Sequence, residues 1–513
     1  MNIVYLTTES VPFAKTGGLA DVCGALPSQV AALGHRAAVI MPAFRSIRQS
    51  TIPITSTDIS FAVPMNHKVM GCRLLLGKLP EGDVPVWFLD QPQYFDRDSL
   101  YGTSTGDYPD NGERFTFFCR AALRAMQRIG WSIDIVHCND WQTGLVPALL
   151  KAEQASKETS TGRDQDASAT ESVKPRPATV MTIHNLAYQG HFPRETFQWT
   201  GLDWSHFNHQ EFEYHGEMNF LKTGIDTADM ITTVSPQYSK EIRTEEHGCG
   251  LNEVLRNRSD HLTGIINGID DAVWNPATDD KLFANYDIDS WKKGKRHNKH
   301  SLQHGYGLEQ NDKVPMIGLV GRLAEQKGWD MILPVLRWHL QQNRPTQWII
   351  LGSGDARYEE ELRDLDRMFP KRFALHIGFS DALAHQVEAA SDVFVMPSHY
   401  EPCGLNQLYS LRYGTVPIVT PTGGLADTVV DCTDSSLANQ TATGFYVHDA
   451  NPQGLDDAIG RALQLRYHEP AKWAQLVETG MSLDWSWKES AKHYIELYAK
   501  TLTLRQSATP KRP

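Results

Sequence analysis

No stretch of this chain reaches 18 consecutive apolar residues, so nothing in it reads as a membrane-spanning helix. The opening MNIVYLTTESVPF lacks a basic leading region and a small-residue cleavage site, and is not expected to be a secretory signal. Cysteine is scarce. Cys23, Cys72, Cys119, Cys138, Cys249, Cys403 and Cys432 are odd in number and widely spaced, with no CxxC pair. That counts against a disulfide framework or a zinc site and suits a reducing cytoplasm. Positive charge is in deficit, with 49 Lys+Arg against 61 Asp+Glu and a net charge of −12. A general nucleic-acid binder needs a basic face, so that class is disfavoured. The basic cluster nearest an end, Lys511-Arg512, is expected to be part of a frayed tail. Neither HExxH nor GxSxG accompanies His137, Asp140 or His184, and GxxxxGK[ST] is missing, which leaves little support for metal, serine-triad or Walker-type chemistry.

What is present is alternation. Short apolar runs ending in Gly, Asn or Ser are separated by longer helical patterns. The first half has Ala37–Met41, Ile133–His137, Val180–His184 and Met230–Val234. The second has Met316–Val320, Trp348–Leu351, Ala374–Ile377, Val393–Met396 and Val416–Val419. Buried strands of this length between helices predict parallel sheets with helical crossovers, and hence two doubly wound α/β domains. The boundary is expected near 260, between the polar TEEHGCGLNEVLRNRSDH and the apolar LTGIINGID. Residues 1–260 form the first domain and 261–484 the second. The remaining 485–513 are expected to be a helix returning to the first domain, followed by the tail. Residues 156–179 are rich in Ser, Thr and charge and poor in large apolar side chains. They are expected to be a mobile surface insertion that cannot offset its ordering entropy by burial.

One six-residue string, TGGLAD, occurs at 16–21 and again at 422–427. Both copies follow a strand and open a helix. Ligands of doubly wound sheets bind outside the carboxyl ends of strands. Bare glycine amides at a helix start favour an anion, and Lys15 adds a charge beside the first copy. The expectation is two walls for one ligand, with a pair of similar helix caps as the alternative for the second copy. In GRLAEQKGW, Arg322 and Lys327 follow a buried strand. Cations are disfavoured near a helix N-terminus unless an anion is expected there, and a diphosphate suits both. In HYEPCGLNQL, Glu401 can accept from sugar hydroxyls and the amides of Gly404 to Asn406 can meet a phosphate; Cys403 reads as a small packing residue. His137, Asp140 and His184 close strands of the first half and read together as a site wall.

KTGGLADV, HCNDWQTGL, TIHNLAYQG, IINGID, GRLAEQKGWD, HYEPCGLNQLYSLRYGT and TPTGGLADTV stand here in one order over residues 1 to 500. Together they resemble the family of bacterial glycogen synthases and plant starch synthases. The resemblance implies a GT-B fold, two Rossmann-like domains facing a deep interdomain cleft. It implies transfer of glucose from ADP-glucose to the non-reducing end of an α-1,4-glucan with retention, without metal or cofactor. By matching motif, Lys15, Gly17, Gly18 and Asp21 meet the donor's phosphates, Arg322 and Lys327 neutralise the departing diphosphate, and Glu401 with Cys403, Gly404 and Leu405 holds the glucose. Asp140 and His184 face the transferred sugar, Phe379 stacks on adenine, and Asn267 lies near the cleft. Two positions stand apart: Asn406 where bacterial members often carry Thr, and Tyr409 where other retaining GT-B enzymes place a ribose-binding Glu. The alternatives are a UDP-glucose-preferring synthase of the same fold and a non-catalytic glucan-binding protein. A phosphorylase would need a lysine motif for pyridoxal phosphate, which is not seen.

Overall fold

A computed structural model describes residues 1–103, 105–161 and 175–508. The chain divides into two compact units. The first holds Met1–Val234, Ser239–Ile265 and the chain from Trp487 onward; the second holds Ser235–Tyr238 and Ile266–Ser486.

In the first unit, β1 (Asn2–Leu6), β2 (Arg36–Pro42), β3 (Thr55–Met65), β4 (Lys68–Lys78), β5 (Pro85–Asp90), β6 (Ile135–Asn139), β7 (Ala178–Ile183), β8 (Met230–Thr233) and β9 (Leu262–Gly264) form one sheet. Their order is β9-β8-β7-β6-β1-β2-β5-β4-β3. From β9 to β5 every pairing is parallel. The inner strands β8, β7, β6, β1 and β2 are buried on both faces, which is why they read as continuous apolar runs. By contrast, β3 and β4 pair antiparallel to each other, and β4 antiparallel to β5. They alternate buried and exposed residues, since one face of this hairpin meets solvent. The apolar-run reading did not find this hairpin.

Sheet order reverses between β1 and β6: β2 and β5 lie to one side of β1, while β6 to β9 lie to the other. Two loops diverge at such a switch point, leaving a crevice at the strands' carboxyl ends. In the second unit, β10 (Met316–Val320), β11 (Gln347–Gly352), β12 (Phe373–Ile377), β13 (Val393–Met396), β14 (Val416–Val419) and β15 (Phe445–Tyr446) run parallel in the order β12-β11-β10-β13-β14-β15. The reversal falls between β10 and β13.

Three local expectations change. Residues 156–161 continue the helix Val146–Thr161 and β7 begins at Ala178, so regular structure takes both ends of the expected insertion. Residues 162–174 lie outside the described residues, as does the tail from 509. The polar stretch before 260 contains a short helix, Asn252–Asn257. The third change concerns His137, read as part of a site wall. It lies within β6, fully buried, bonded through Nδ1 to the Tyr498 hydroxyl (2.8 Å) and through Nε2 to Thr182 Oγ1 (2.5 Å). His137 stands at the middle of the strand, short of the end that Asn139 and Asp140 decorate, where every side chain is buried. It packs with Tyr5, Tyr494 and Tyr498 instead, and so fastens the helix Trp487–Ala508 to the sheet.

Burial, and secondarily His184, pulls the His137 imidazole down to about 3. The buried neutral ring therefore stabilises the fold above its unfolded value near 6.5, and this contribution is lost as pH falls towards 3. Tyr498→Phe removes its partner hydroxyl and should cost about 1–3 kcal/mol in urea unfolding at neutral pH. An unchanged midpoint would deny the helix this anchor.

Candidate active site

At the first unit's switch point, β6 runs out into Asp140, whose backbone stands at φ 55, ψ −179. That conformation costs a residue with a Cβ about 1–3 kcal/mol and persists where the surroundings impose it. Here they do. The Asp140 amide donates to Thr182 O at 3.0 Å, and its carboxylate Oδ1 accepts the His184 amide at 2.8 Å. Burial pushes the Asp140 carboxyl up to about 7; the His184 amide draws it back down, Glu9 raises it further, and the Asn185 amide again lowers it. The imidazole of His184 sits on Asn139 Oδ1 through Nε2 at 3.0 Å, and burial holds it down to about 3, hence neutral. Asn139 also donates to Leu6 O at 3.1 Å, so one side chain ties the ends of β1, β6 and β7 together.

The loop after β1 is organised by a residue that the motif reading passed over. Glu9 is 3% exposed, and its carboxylate accepts from Thr16 N (2.5 Å), Thr16 Oγ1 (2.6 Å), Gly17 N (3.2 Å) and Tyr101 OH (2.7 Å). The Gly17 amide, expected to be open to an anion, is therefore already taken. The Gly18 amide, next along, has no acceptor among the described residues. Lys15 is not an isolated charge either; it pairs with Asp21 Oδ1 at 2.7 Å, with both side chains partly in solvent. An ion pair so exposed is weak and can be exchanged for a stronger anion. Glu9 carries no motif signature; only its place three residues beyond a buried strand could have marked it.

The second unit's switch point gathers the other group. Lys327 Nζ bonds Glu401 Oε2 at 2.5 Å, and Ser398 Oγ bonds the same oxygen at 3.0 Å. Glu401 Oε1 has no partner among the described residues. Arg322 Nη2 donates to Gln326 Oε1 at 3.1 Å, and Gln326 Nε2 donates to Tyr400 O at 3.0 Å, linking the loops after β10 and β13. Asn406 Nδ2 reaches Val320 O at 2.6 Å, a bond across the switch point that a Thr hydroxyl is too short to copy in the same way. The amides of Gly404, Leu405 and Asn406 start the helix Asn406–Tyr413 with no acceptor among the described residues. Such a helix start is a ready anion site.

Cys403 is buried against the Asn267 amide, and burial pushes its thiol up to about 12, so it stays protonated. Asn267 itself is buried with Oδ1 unbonded. Phe379 stands 87% exposed beyond β12. Tyr409 stacks on Trp274 at 3.6 Å between ring centroids, and the other face of Trp274 stacks on His385 at 3.7 Å.

The glycines of the two TGGLAD copies stand in opposite surroundings. A Cβ at Gly17 or Gly18 would meet nothing within 4 Å. Neither packing nor a left-handed backbone asks for glycine there. At Gly423 a Cβ would fall 2.0 Å from Glu401 O, and at Gly424 2.0 Å from Cys403 O. The Gly424 amide bonds Glu401 O at 3.1 Å. The second copy is thus a buttress under the Glu401 loop, and its Asp427 is taken by Ser235 Oγ (2.5 Å) and Gln237 N (2.8 Å). Among the described residues, no group of three His, Cys, Asp or Glu could hold a metal, and no helix is long and apolar enough to cross a membrane.

Residues 2–257 match the starch synthase catalytic domain, and residues 307–478 match the glycosyl transferases group 1. The chain is 58% identical over 517 residues to a glycogen synthase of Rhodopirellula baltica, covering 99% of each chain. It is 46% identical over 507 residues to that of Syntrophotalea carbinolica, covering 99% of this chain and all of the other. Its structure matches the catalytic domain of starch synthase IV from Arabidopsis thaliana, solved with ADP and acarbose. That match has a TM-score of 0.85 at 32% identity and covers 98% of this chain and 99% of that one.

Two measurements check these assignments. Gly424→Ala should cost about 1–3 kcal/mol or more through overpacking, whereas Gly18→Ala should leave the thermal midpoint in place and lower activity. Equal midpoints for the two variants would contradict the contrast. Asp140→Asn removes a carboxyl whose folded value is raised to about 7. The unfavourable cost of ionising it in the fold grows as pH rises from about 4 towards 7. The substitution should therefore stabilise the protein more at pH 8 than at pH 4 while abolishing activity, and a gain independent of pH would refute the burial argument.

Proposed function

The chain belongs to the family of bacterial glycogen synthases and starch synthases, and from that premise we propose that its donor is ADP-glucose and its acceptor the non-reducing end of an α-1,4-glucan. A glucosyltransferase of this family moves glucose from a nucleotide sugar to a glucan. The observation that carries the finer reading is the second unit's anion-ready end. Two cations, Arg322 and Lys327, stand beside three amides with no acceptor among the described residues, at the ends of β10 and β13. A leaving diphosphate gains negative charge as its bond to the sugar breaks, and preorganised cations and amides stabilise it without reorganising. That ADP lies in the solved Arabidopsis relative supports the choice of nucleotide.

The roles then follow from each environment. Arg322 and Lys327 take the diphosphate, Lys327 exchanging part of its bond with Glu401 for it. Glu401 keeps Oε1 for a glucose hydroxyl, and the amides from Gly404 to Asn406 hold the phosphate. Phe379, exposed and unstacked, takes the adenine ring, and Asn267 offers its free Oδ1 to the donor. Lys15, Asp21 and the Gly18 amide complete the donor's contacts, with Gly17 there for close approach. Asp140 and the His184 backbone are assigned to the transferred glucose, where the His184 carbonyl steadies the cationic face. Neither carboxylate is assigned as a covalent nucleophile: Glu401 is bound to a cation, and Asp140 is held by an amide. The bond from C1 to the phosphate breaks as the glucan hydroxyl attacks the same face, and that hydroxyl's proton passes to the leaving phosphate, so configuration is retained. Charge neutralisation by side chains and amides asks for neither metal nor cofactor. The thiols without disulfide partners suit the cytoplasm.

The test is incorporation of labelled glucose into glycogen from ADP-glucose and, separately, from UDP-glucose, with EDTA present. Transfer from ADP-glucose that survives EDTA is expected. Preference for UDP-glucose would overturn the donor assignment, and loss of transfer in EDTA would overturn the metal-free reading.

A further inference from the structure

Arg114, in the helix Asn111–Met126, is fully buried. Its guanidinium bonds no carboxylate among the described residues. Nε donates to Tyr94 O at 2.8 Å, Nη1 to Asn111 Oδ1 at 2.6 Å and Nη2 to Leu100 O at 3.2 Å. Burial, and then neighbouring Arg97, pulls the group down to about 10, so it is still charged at neutral pH. A cation kept in the interior on neutral acceptors is costly, and an apolar side chain of similar volume would pack there more cheaply. The acceptors show what the cost secures. They are the chain that leads into Tyr101, at Tyr94 and Leu100, and Asn111, which turns its own Nδ2 onto Tyr101 O at 2.8 Å. The Tyr108 amide reaches the same oxygen at 3.0 Å.

Tyr101 continues the path. Its hydroxyl bonds Glu9 Oε1 at 2.7 Å and Thr8 Oγ1 at 2.7 Å, and Glu9 in turn holds Thr16 and Gly17. The hydrogen bonds run without a break from the buried guanidinium to the first glycine loop. Arg114, Asn111 and Glu9 are buried and Tyr101 is half-buried, where a missing bond is expensive and such chains behave as units.

We propose that Arg114 is a positioning residue for the first glycine loop, acting through Asn111, Tyr101 and Glu9 to hold the Thr16–Gly18 backbone with the Gly18 amide open to an anion. The proposal rests on the reading above that this loop meets the nucleotide sugar. Lys at 114 retains charge but not the planar fork that serves acceptors in several directions at once.

The test is steady-state kinetics on the full chain carrying Arg114→Lys, Tyr101→Phe and both, varying nucleotide sugar and glucan separately and recording thermal midpoints. Each single substitution should raise KM for the nucleotide sugar about five- to tenfold with kcat within about twofold, and the double should be no worse than the more affected single. Arg114→Lys that lowers the midpoint yet leaves both KM values alone would make Arg114 a core staple and overturn the proposal, as would effects that multiply in the double. Non-additive effects on KM for glucan instead would keep the relay and overturn the donor reading of the loop. Should Arg114→Lys not fold, Asn111→Ser breaks the same path at its middle and is expected to be non-additive with Tyr101→Phe in the same way.

Discussion

A parallel strand buried on both faces can offer polar groups only where it ends. The inner strands of both units are subject to this constraint, and the polar residues of the two switch points are distributed accordingly. Asp140 and His184 stand at the ends of β6 and β7, Arg322 beyond β10, and Glu401 beyond β13. Where the strand order reverses, two such ends diverge and leave room for something other than protein. The polar residues at these places are not solvated ornaments: Asn139 ties three strand ends together, and Asn406 ties the helix after β13 to the end of β10.

The two units solve the same problem with different charge. In the first, carboxylates dominate, and burial works against the ionisation of Asp140. Asp140 keeps a strained backbone and a raised carboxyl because amides of the neighbouring loop face it. In the second, Lys327 neutralises Glu401, so a nearly buried carboxylate can stay beside an opening lined with unclaimed amides. Stability is surrendered at these positions and recovered in the apolar interior, the usual division in a protein that must present a reactive surface.

Glycine carries different meanings in the two copies of one motif. Gly17 and Gly18 have empty space around them, so the demand for a bare backbone comes from outside the chain. Gly423 and Gly424 press against carbonyl oxygens, so the demand comes from within. Identical strings at two helix starts are thus separated by what the rest of the chain brings to each. The relay from Arg114 to Glu9 makes the same point at the first copy, since the shape of that loop is held by residues about a hundred positions away.

Sequence by itself determined the features that are local in the chain. Apolar runs located most of the parallel strands, though not β5, β9 or β15 nearer the sheet edges, and glycine and charge at their ends located the loops, because burial on both faces leaves so few places for polar groups. The family followed from seven motifs in order. What the tertiary structure alone decided concerns neighbours distant in sequence. The hairpin β3–β4 escaped because one face is solvated and the apolar run is broken. His137 and Asp140 look alike in a string, but a strand turns alternate side chains to different surroundings, and only the packing of Tyr494 and Tyr498 shows which is core. Glu9 became legible only when the Thr16 and Gly17 amides and the Tyr101 hydroxyl converged on it. Periodicity reports whether a residue is buried; it does not report what it is buried against, and that is set by pairings whose sequence separation no local pattern encodes.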